Sequence, residues 1–246
     1  MKTVQTVKKN LRKYGSFCES SVLEDIERLS EQLKGARILH INATAFGGGV
    51  AEILHTLIPL MNDCGLEVDW KVIEAPSEFF DLTKRMHNAL QGKEDVLSKE
   101  DRSLFESVTK ENARFIEASK YDVVVIHDPQ PVGLPVFANF GSSKLVWRCH
   151  IDTSSPNPAF WEYLNSFLAS YNAGIFTLKS YAKEGIAIGE IYEIAPSIDP
   201  LSNKNRDLSD VELTNAVKKL GVDIRRPIIT QVSRFDPWKD PMGVVD

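Results

Sequence analysis

Four short segments of the sequence combine residue types that could bind or react with a polar substrate. They are HINATAFGGGV at 40–50, HDPQP at 127–131, WRCHIDTS at 147–154 and SRFDPWKD at 233–240. The three glycines of the first segment let the backbone approach a ligand, and a following helix offers free N–H groups and a positive dipole end. Such a loop suits a phosphate or a cluster of sugar hydroxyls. It matches neither the P-loop nor the GxGxxG pattern, which argues against a dinucleotide site.

The second and third segments each follow a predicted buried strand. Asp128 and Gln130 come after one apolar run, and His150 and Asp152 come at the end of another. Polar side chains at the carboxyl ends of parallel strands line the crevice where open α/β sheets bind ligands. A packed core histidine and a capping aspartate are the structural alternatives at these positions.

The fourth segment supplies two cations after a further predicted strand. Arg234 and Lys239 could clamp a diphosphate, because arginine gives planar bidentate contacts and lysine a point charge. A solvated loop is the other interpretation of the same residues. We expect this segment to open a second α/β unit that faces the first across a cleft.

The elements that must position these segments alternate between apolar strands and amphipathic helices. Strands are predicted at 36–41, 67–73, 121–126, 145–149, 173–178 and 187–194, with helices at 21–34, 50–61, 78–90, 98–119, 159–171 and 209–220. Apolar residues from Val4 to Tyr14 at near-helical spacing predict one more helix, over the basic first segment. Alternating strands and helices indicate an α/β fold with a Rossmann-like, doubly wound parallel sheet.

The tail of the sequence changes character after a proline-rich stretch. We predict one domain over 1–200, a linker and capped helix over 201–226, and the first elements of a second Rossmann-like domain over 227–246. The last of these would begin with a strand at 227–232. One strand and one helical turn cannot bury their own apolar faces, so this second domain is predicted to be incomplete.

Composition excludes several classes of protein. The chain has 246 residues and a formal net charge of −5, which argues against general nucleic-acid binding. No stretch approaches the roughly 18 apolar residues of a membrane helix. Cys18, Cys64 and Cys149 are far apart and form no CxxC pair, so neither a disulfide framework nor a metal site is expected. A reduced, cytoplasmic setting is therefore the expectation.

Taken in order, the four segments resemble those of the trehalose glycosyltransferring synthases, which are retaining GT-B enzymes of glycosyltransferase family 4. The resemblance runs from the N-terminal helices to Lys239. It implies two Rossmann-like domains, with acceptor recognition mostly in the first and nucleotide recognition mostly in the second. It implies transfer of glucose from ADP- or UDP-glucose to free glucose, giving α,α-trehalose with retention. It further implies glucose, nucleoside-diphosphate glucose and trehalose as partners, a homodimer, and no cofactor or obligatory metal.

The resemblance also assigns roles to individual residues. It makes three residues catalytic: His150 near the reacting glucose, and Arg234 and Lys239 on the departing nucleoside diphosphate. It assigns contacts with donor phosphates, the transferred sugar or sugar hydroxyls to Gly48, Gly49, Asp128, Gln130 and Asp152. With retention and no evident carboxylate nucleophile, a front-face displacement is favoured, in which the departing phosphate oxygen takes the acceptor's proton.

The sequence departs from the family pattern in length. Family members continue with a second half whose glutamate-containing loop holds the donor, so we expect a fragment or a natural truncation that ends at Asp246. The alternatives are a retaining trehalose phosphorylase, a family 4 transferase that makes another glucoside, and a non-catalytic sugar-binding fragment. Dependence on a nucleotide separates the first of these from a synthase, and sugar binding without nucleotide binding favours the last. A nicotinamide dehydrogenase is disfavoured because the GxGxxG turn is missing.

Overall fold

A seven-stranded sheet organises the first part of the chain in the computed structural model, which describes residues 1–223, 225–233 and 239–245. Its spatial order is β1-β3-β2-β4-β5-β6-β7, and all neighbours are parallel except β1, which pairs antiparallel with β3. The predicted α/β fold with a doubly wound parallel sheet is confirmed. The strands are β1 (Lys2–Thr3), β2 (Arg37–Asn42), β3 (Glu67–Val72), β4 (Val123–His127), β5 (Lys144–Cys149), β6 (Ala173–Phe176) and β7 (Glu190–Glu193).

Helices cover both faces of this sheet. Ile38 and Val68 belong to one buried cluster with Leu54 of the second helix, whereas Leu39 and Ile41 belong to another that contains residues of the third, fourth and sixth helices. Since side chains alternate along a strand, consecutive apolar residues of β2 supply both cores. The helices are α1 (Ser20–Gln32), α2 (Gly49–Asp63), α3 (Ser77–Leu90), α4 (Lys99–Ala113), α5 (Leu134–Phe137), α6 (Pro158–Leu168) and α7 (Asp210–Lys219).

Helix α4 begins with a capping box at the position that the sequence predicts. The Ser98 hydroxyl accepts a hydrogen bond from the Asp101 N–H at 3.0 Å, and the Asp101 carboxylate accepts one from the Ser98 N–H at 3.0 Å. Two N–H groups at the helix start are therefore paired by side chains of the helix itself.

The variant Ser98→Ala should lower the free energy of unfolding by about 1 kcal/mol, because it leaves the Asp101 N–H without its capping oxygen. For a chain of this size that corresponds to a fall in Tm of roughly 2–4 °C, measurable by thermal denaturation. Ser107→Ala is the matched control, because Ser107 is an exposed residue inside the same helix. A control that loses as much as Ser98→Ala would contradict the capping explanation.

The predicted N-terminal helix is wrong. Lys2 and Thr3 form β1, the Val4 N–H donates to the Trp70 carbonyl at 2.8 Å, and only Leu11–Tyr14 is helical, as a short 3-10 turn. The apolar spacing of this segment fits a helix, but its backbone instead pairs with unpaired groups of the edge strand β3. The tertiary partner thus decides the local structure.

The chain divides into two compact units, Met1–Asp199 and Pro200–Asp246. The second contains α7, which starts with the predicted capping box of Ser209 and Glu212. The strand predicted at 227–232 is wrong: these residues have no regular structure, and Ile229 and Val232 are 86% and 93% exposed. A strand needs a neighbour for its N–H and C=O groups, and no described residue of this unit provides one. The domain boundaries proposed from the sequence remain a prediction.

Candidate functional site

Three of the four candidate segments meet at the carboxyl edge of the central sheet. They follow β2, β4 and β5, which are neighbours in the sheet. From β2 the chain continues to β3 on one side, whereas β4 and β5 lie on the other side. The strand order thus reverses between β2 and β4, and open α/β sheets bind ligands at such switch points.

Three histidines cross this region as a hydrogen-bonded series, here called the histidine chain (His40, His127 and His150). Nδ1 of His40 lies 2.9 Å from Nε2 of His127, and Nδ1 of His127 lies 3.0 Å from Nε2 of His150. In the sheet His40 pairs with Val125, and His127 lies two residues after Val125 on β4. His127 in turn pairs with Arg148, and His150 lies two residues after Arg148. A spacing of two keeps all three rings on one face of the sheet.

Burial keeps the histidine chain neutral near pH 7. Removal from water, together with a smaller effect of the positive charge of Arg148, lowers the pKa of His40 to about 3 and that of His150 to about 4. The pKa of His127 lies well below its ordinary value for the same main reason, with smaller contributions from His40, His150 and Arg148. Each ring therefore carries one proton, on one of its two nitrogens.

Asp128 follows His127 and is held against His150. Its backbone has φ +62°, in the left-handed region, where a residue other than glycine is under strain. Its Oδ1 accepts a hydrogen bond from the His150 N–H at 2.9 Å, and its carbonyl accepts one from the Trp147 indole at 3.1 Å. Burial raises the pKa of its carboxyl to about 7. The group can therefore donate or accept a hydrogen bond with a hydroxyl near neutral pH.

The glycine loop between β2 and α2 leaves open space. Gly47 has φ +84°, which favours glycine, Gly48 is the N-cap of α2, and Gly49 is its first residue. A Cβ atom built on any of the three would meet nothing within 4 Å. The loop thus presents exposed backbone at the start of a long helix, where N–H groups lack partners within the helix.

The remaining candidates of the first unit are less closely connected. Gln130 is partly exposed, and Asp152 accepts a hydrogen bond from the Ser154 N–H at 2.8 Å, which closes a local turn. No hydrogen bond among the described residues joins either side chain to the histidine chain. Their contacts with sugar hydroxyls remain predictions.

The two predicted cations belong to the second unit. Arg234 lies outside the described residues, and Lys239 is exposed. Their roles on the leaving diphosphate remain predictions.

Sequence reasoning gave no role to His40 or His127, although both belong to the candidate segments. The available signal was a histidine at the end of each of two predicted strands and within a third. The three histidines come together because of the register between β2, β4 and β5, which cannot be derived from the sequence.

The described residues, 1–223, 225–233 and 239–245, provide neither a cluster of metal ligands nor a membrane-spanning helix. Within these ranges, no three or more histidine, cysteine, aspartate or glutamate side chains are arranged to hold a metal ion. The histidine rings bond to one another instead of converging on a point. Over the same ranges, no helix has the length and apolar character needed to cross a membrane.

Comparison with known proteins places the site within a family. Residues 40–183, more than half of the chain, match the family described as "Trehalose synthase, N-terminal domain". The chain is 46% identical over 242 residues to a trehalose synthase of Rubrobacter xylanophilus, and 45% identical over 247 residues to one of Pyrococcus horikoshii. These alignments cover 97% and 100% of the chain but only 58% and 59% of the relatives. The chain thus spans about three-fifths of their length.

More distant relatives carry a different name. A trehalose phosphorylase of Pleurotus pulmonarius is 28% identical over 276 residues, which is 96% of this chain and 37% of that protein. The residues that match the family model include both ends of the histidine chain and Asp128. The resemblance inferred from the four segments is thereby confirmed, and the chain belongs to the trehalose synthase N-terminal domain family.

Proposed function

We propose that this chain forms the acceptor side of a retaining glucosyltransferase that moves glucose from ADP- or UDP-glucose to free glucose and makes α,α-trehalose. The observation that supports this proposal most is the hydrogen bond between Asp128 and His150, which is the outer member of the histidine chain, at the switch point of the sheet. The family membership supports the same proposal, since trehalose synthases match at 45–46% identity and phosphorylases at 26–28%.

In this proposal, the first unit binds sugar through groups of opposite hydrogen-bonding character. His150 and the partly buried Asp128 carboxyl bond to hydroxyls of the sugars, with Gln130 and Asp152 at the edge of the site. Backbone N–H groups at Gly48 and Gly49 take a phosphate or hydroxyl oxygen, because the start of α2 has a positive dipole end.

The proposed reaction is a front-face displacement. The bond between the anomeric carbon and the diphosphate oxygen breaks, and a bond to the acceptor oxygen forms on the same face of the sugar. The acceptor's proton passes to the departing phosphate oxygen. Arg234 and Lys239 stabilise the charge of the leaving nucleoside diphosphate. The proposal includes a homodimer in the cytoplasm and requires no metal or other cofactor.

The test is product analysis after the purified chain is incubated with ADP- or UDP-glucose and ¹³C-labelled glucose. We expect labelled α,α-trehalose and free nucleoside diphosphate in equal amounts, detected by NMR and chromatography. The His150→Phe variant should make trehalose at least about 100-fold more slowly, because it lacks the hydrogen bond that the proposal assigns to His150 and the reacting sugar. A folded chain that makes no trehalose from either donor would contradict catalysis by this chain alone.

A trehalose phosphorylase is the second candidate, because phosphorylases align over 92–96% of the chain. Such an enzyme would convert trehalose and orthophosphate to glucose and glucose 1-phosphate without any nucleotide. The same reaction mixture, with phosphate and trehalose in place of the nucleotide sugar, distinguishes the two activities.

A non-catalytic sugar-binding fragment is the third candidate, because the chain spans about three-fifths of the length of its relatives. Titration of the ¹⁵N-labelled chain with glucose and then with ADP-glucose separates this case. Shifts with glucose at Asp128 and His150, no response to the nucleotide and no product would favour it.

A further inference from the structure

We propose that His40 and His127 are positioning residues that fix His150 as its Nδ1–H tautomer, so that His150 offers an uncharged hydrogen-bond donor to a hydroxyl oxygen of the bound sugar. The identity of the ligand rests on the proposed function. The tautomer itself follows from the geometry of the histidine chain and can be measured without any ligand.

The three rings are joined head to tail. In both hydrogen bonds, Nδ1 of one ring faces Nε2 of the next. A neutral imidazole has one N–H and one bare nitrogen, so a ring that accepts at Nε2 carries its proton on Nδ1. All three rings must therefore share one tautomer, either Nδ1–H throughout or Nε2–H throughout.

The buried end of the series selects between these two arrangements. Nε2 of His40 is buried and has no hydrogen-bond partner among the described residues. In the Nε2–H arrangement this end would bury an N–H without an acceptor, whereas in the Nδ1–H arrangement it buries only a bare nitrogen. Buried donors without an acceptor are rarer in proteins than acceptors without a donor. The Nδ1–H arrangement is therefore favoured.

At the other end, the Nδ1–H arrangement directs a donor out of the protein. His150 is partly exposed, and no described residue bonds to its Nδ1. Each ring that accepts a hydrogen bond becomes a stronger donor at its other nitrogen, because hydrogen bonds in series polarise one another. The buried rings thus strengthen the N–H that His150 presents, without placing a charge in the site.

The neighbouring carboxyl completes the recognition. Asp128 is bonded to the His150 backbone at 2.9 Å, so its carboxyl lies beside the same opening. A sugar hydroxyl both accepts and donates a hydrogen bond. An N–H of His150 and a carboxylate oxygen of Asp128 would satisfy both of these capacities, which is the chemistry expected of a hydroxyl site.

Two-bond ¹H–¹⁵N correlation spectra of the ¹⁵N-labelled chain test this directly, because they show which ring nitrogen carries the proton. We expect Nδ1–H patterns for all three rings of the histidine chain. His55 is an internal reference: its Nε2 lies 2.9 Å from the Ala45 carbonyl oxygen, so it must carry its proton on Nε2. Nε2–H patterns for His127 and His150 at pH 7 would overturn the proposal, even if the chain makes trehalose.

A matched pair of variants tests whether His40 acts through the series. Asparagine places an amide N–H near the position of Nδ1, so His40→Asn should leave His150 in its Nδ1–H form. His40→Leu removes the donor and should cause loss of the single Nδ1–H pattern of His150. An unchanged His150 pattern in His40→Leu would overturn the positioning role. Should His40→Leu fail to fold, the spectrum of the unsubstituted chain still decides the tautomer.

Discussion

Replacing Trp147 with alanine should lower the free energy of unfolding by about 3–5 kcal/mol, the usual cost of removing a large buried aromatic side chain. Trp147 is fully buried in β5, and its ring meets Phe176 edge to face at a centroid distance of 5.6 Å. The cavity would lie next to Asp128, because the Trp147 indole bonds to the carbonyl of that residue. Urea denaturation of the whole chain, monitored by fluorescence or circular dichroism, measures the loss.

The variant Trp147→Phe separates packing from hydrogen bonding. It keeps an aromatic ring but removes the indole N–H that donates to the Asp128 carbonyl at 3.1 Å. We expect a smaller loss, of about 1–3 kcal/mol, from the missing donor and the reduced volume. Equal losses in Trp147→Phe and Trp147→Ala would show that the hydrogen bond, and not the filled volume, carries the effect.

Lowering the pH from about 7 to about 5 should destabilise the fold. Below the ordinary histidine pKa of about 6.5, we expect the free energy of unfolding to fall by roughly 2–3 kcal/mol per pH unit. The folded pKa values of His40 and His150 are about 3 and about 4, and that of His127 is also strongly lowered. Below the ordinary histidine pKa, these three rings each bind a second proton in the unfolded chain but not in the folded chain. The stability that these rings contribute is thus present above pH 6.5 and is lost as the pH falls.

Asp128 acts in the opposite direction. Its folded pKa is about 7 against an ordinary value of 3.8, so below pH 7 the folded chain binds a proton that the unfolded chain does not. Its contribution to stability therefore grows as the pH falls from 7 towards 4. Three protons against one leaves a net difference of about two, each worth about 1.4 kcal/mol per pH unit. Arg148, the cation that acts on all of these groups, keeps its charge throughout this range.

Thermal unfolding at a series of pH values measures how steeply the free energy of unfolding depends on pH. Two variants should change this slope in opposite directions. His40→Asn removes one excluded proton and should make the slope shallower by about 1.4 kcal/mol per pH unit. Asp128→Asn removes the opposing carboxyl and should make it steeper by a similar amount. A Tm that does not change between pH 7 and 5 would contradict the buried, neutral state of the histidine chain.

Most of the fold was predictable because its signals are local. The capping box of Ser98 and Asp101 lies within one helical turn, and the apolar run that becomes β4 predicts a strand covered on both faces. The two failures depend on distant partners. The segment from Val4 to Tyr14 has a helical apolar spacing, yet Val4 and the two residues before it pair with β3. Residues 227–232 include three apolar β-branched side chains, yet have no described strand beside them.

The site was predictable residue by residue but not as an arrangement. Asp128 and His150 were each expected at the end of a predicted strand, and the structure joins them by a hydrogen bond. The left-handed backbone of Asp128 and the bonds of His40 and His127 were not expected. Both depend on how β2, β4 and β5 align, and register is fixed by the whole packed sheet.

The histidine chain also bears on the order of folding. Its two hydrogen bonds join residues that are 87 and 23 positions apart in sequence, and its members come from the regions of three different strands. No single strand–helix–strand unit contains it, so we expect it to assemble only after the central strands have paired. Local fraying at the ends of the chain would leave it intact, whereas cooperative opening of the central sheet would break it. Formation of the candidate site and completion of the fold are therefore expected to be one event.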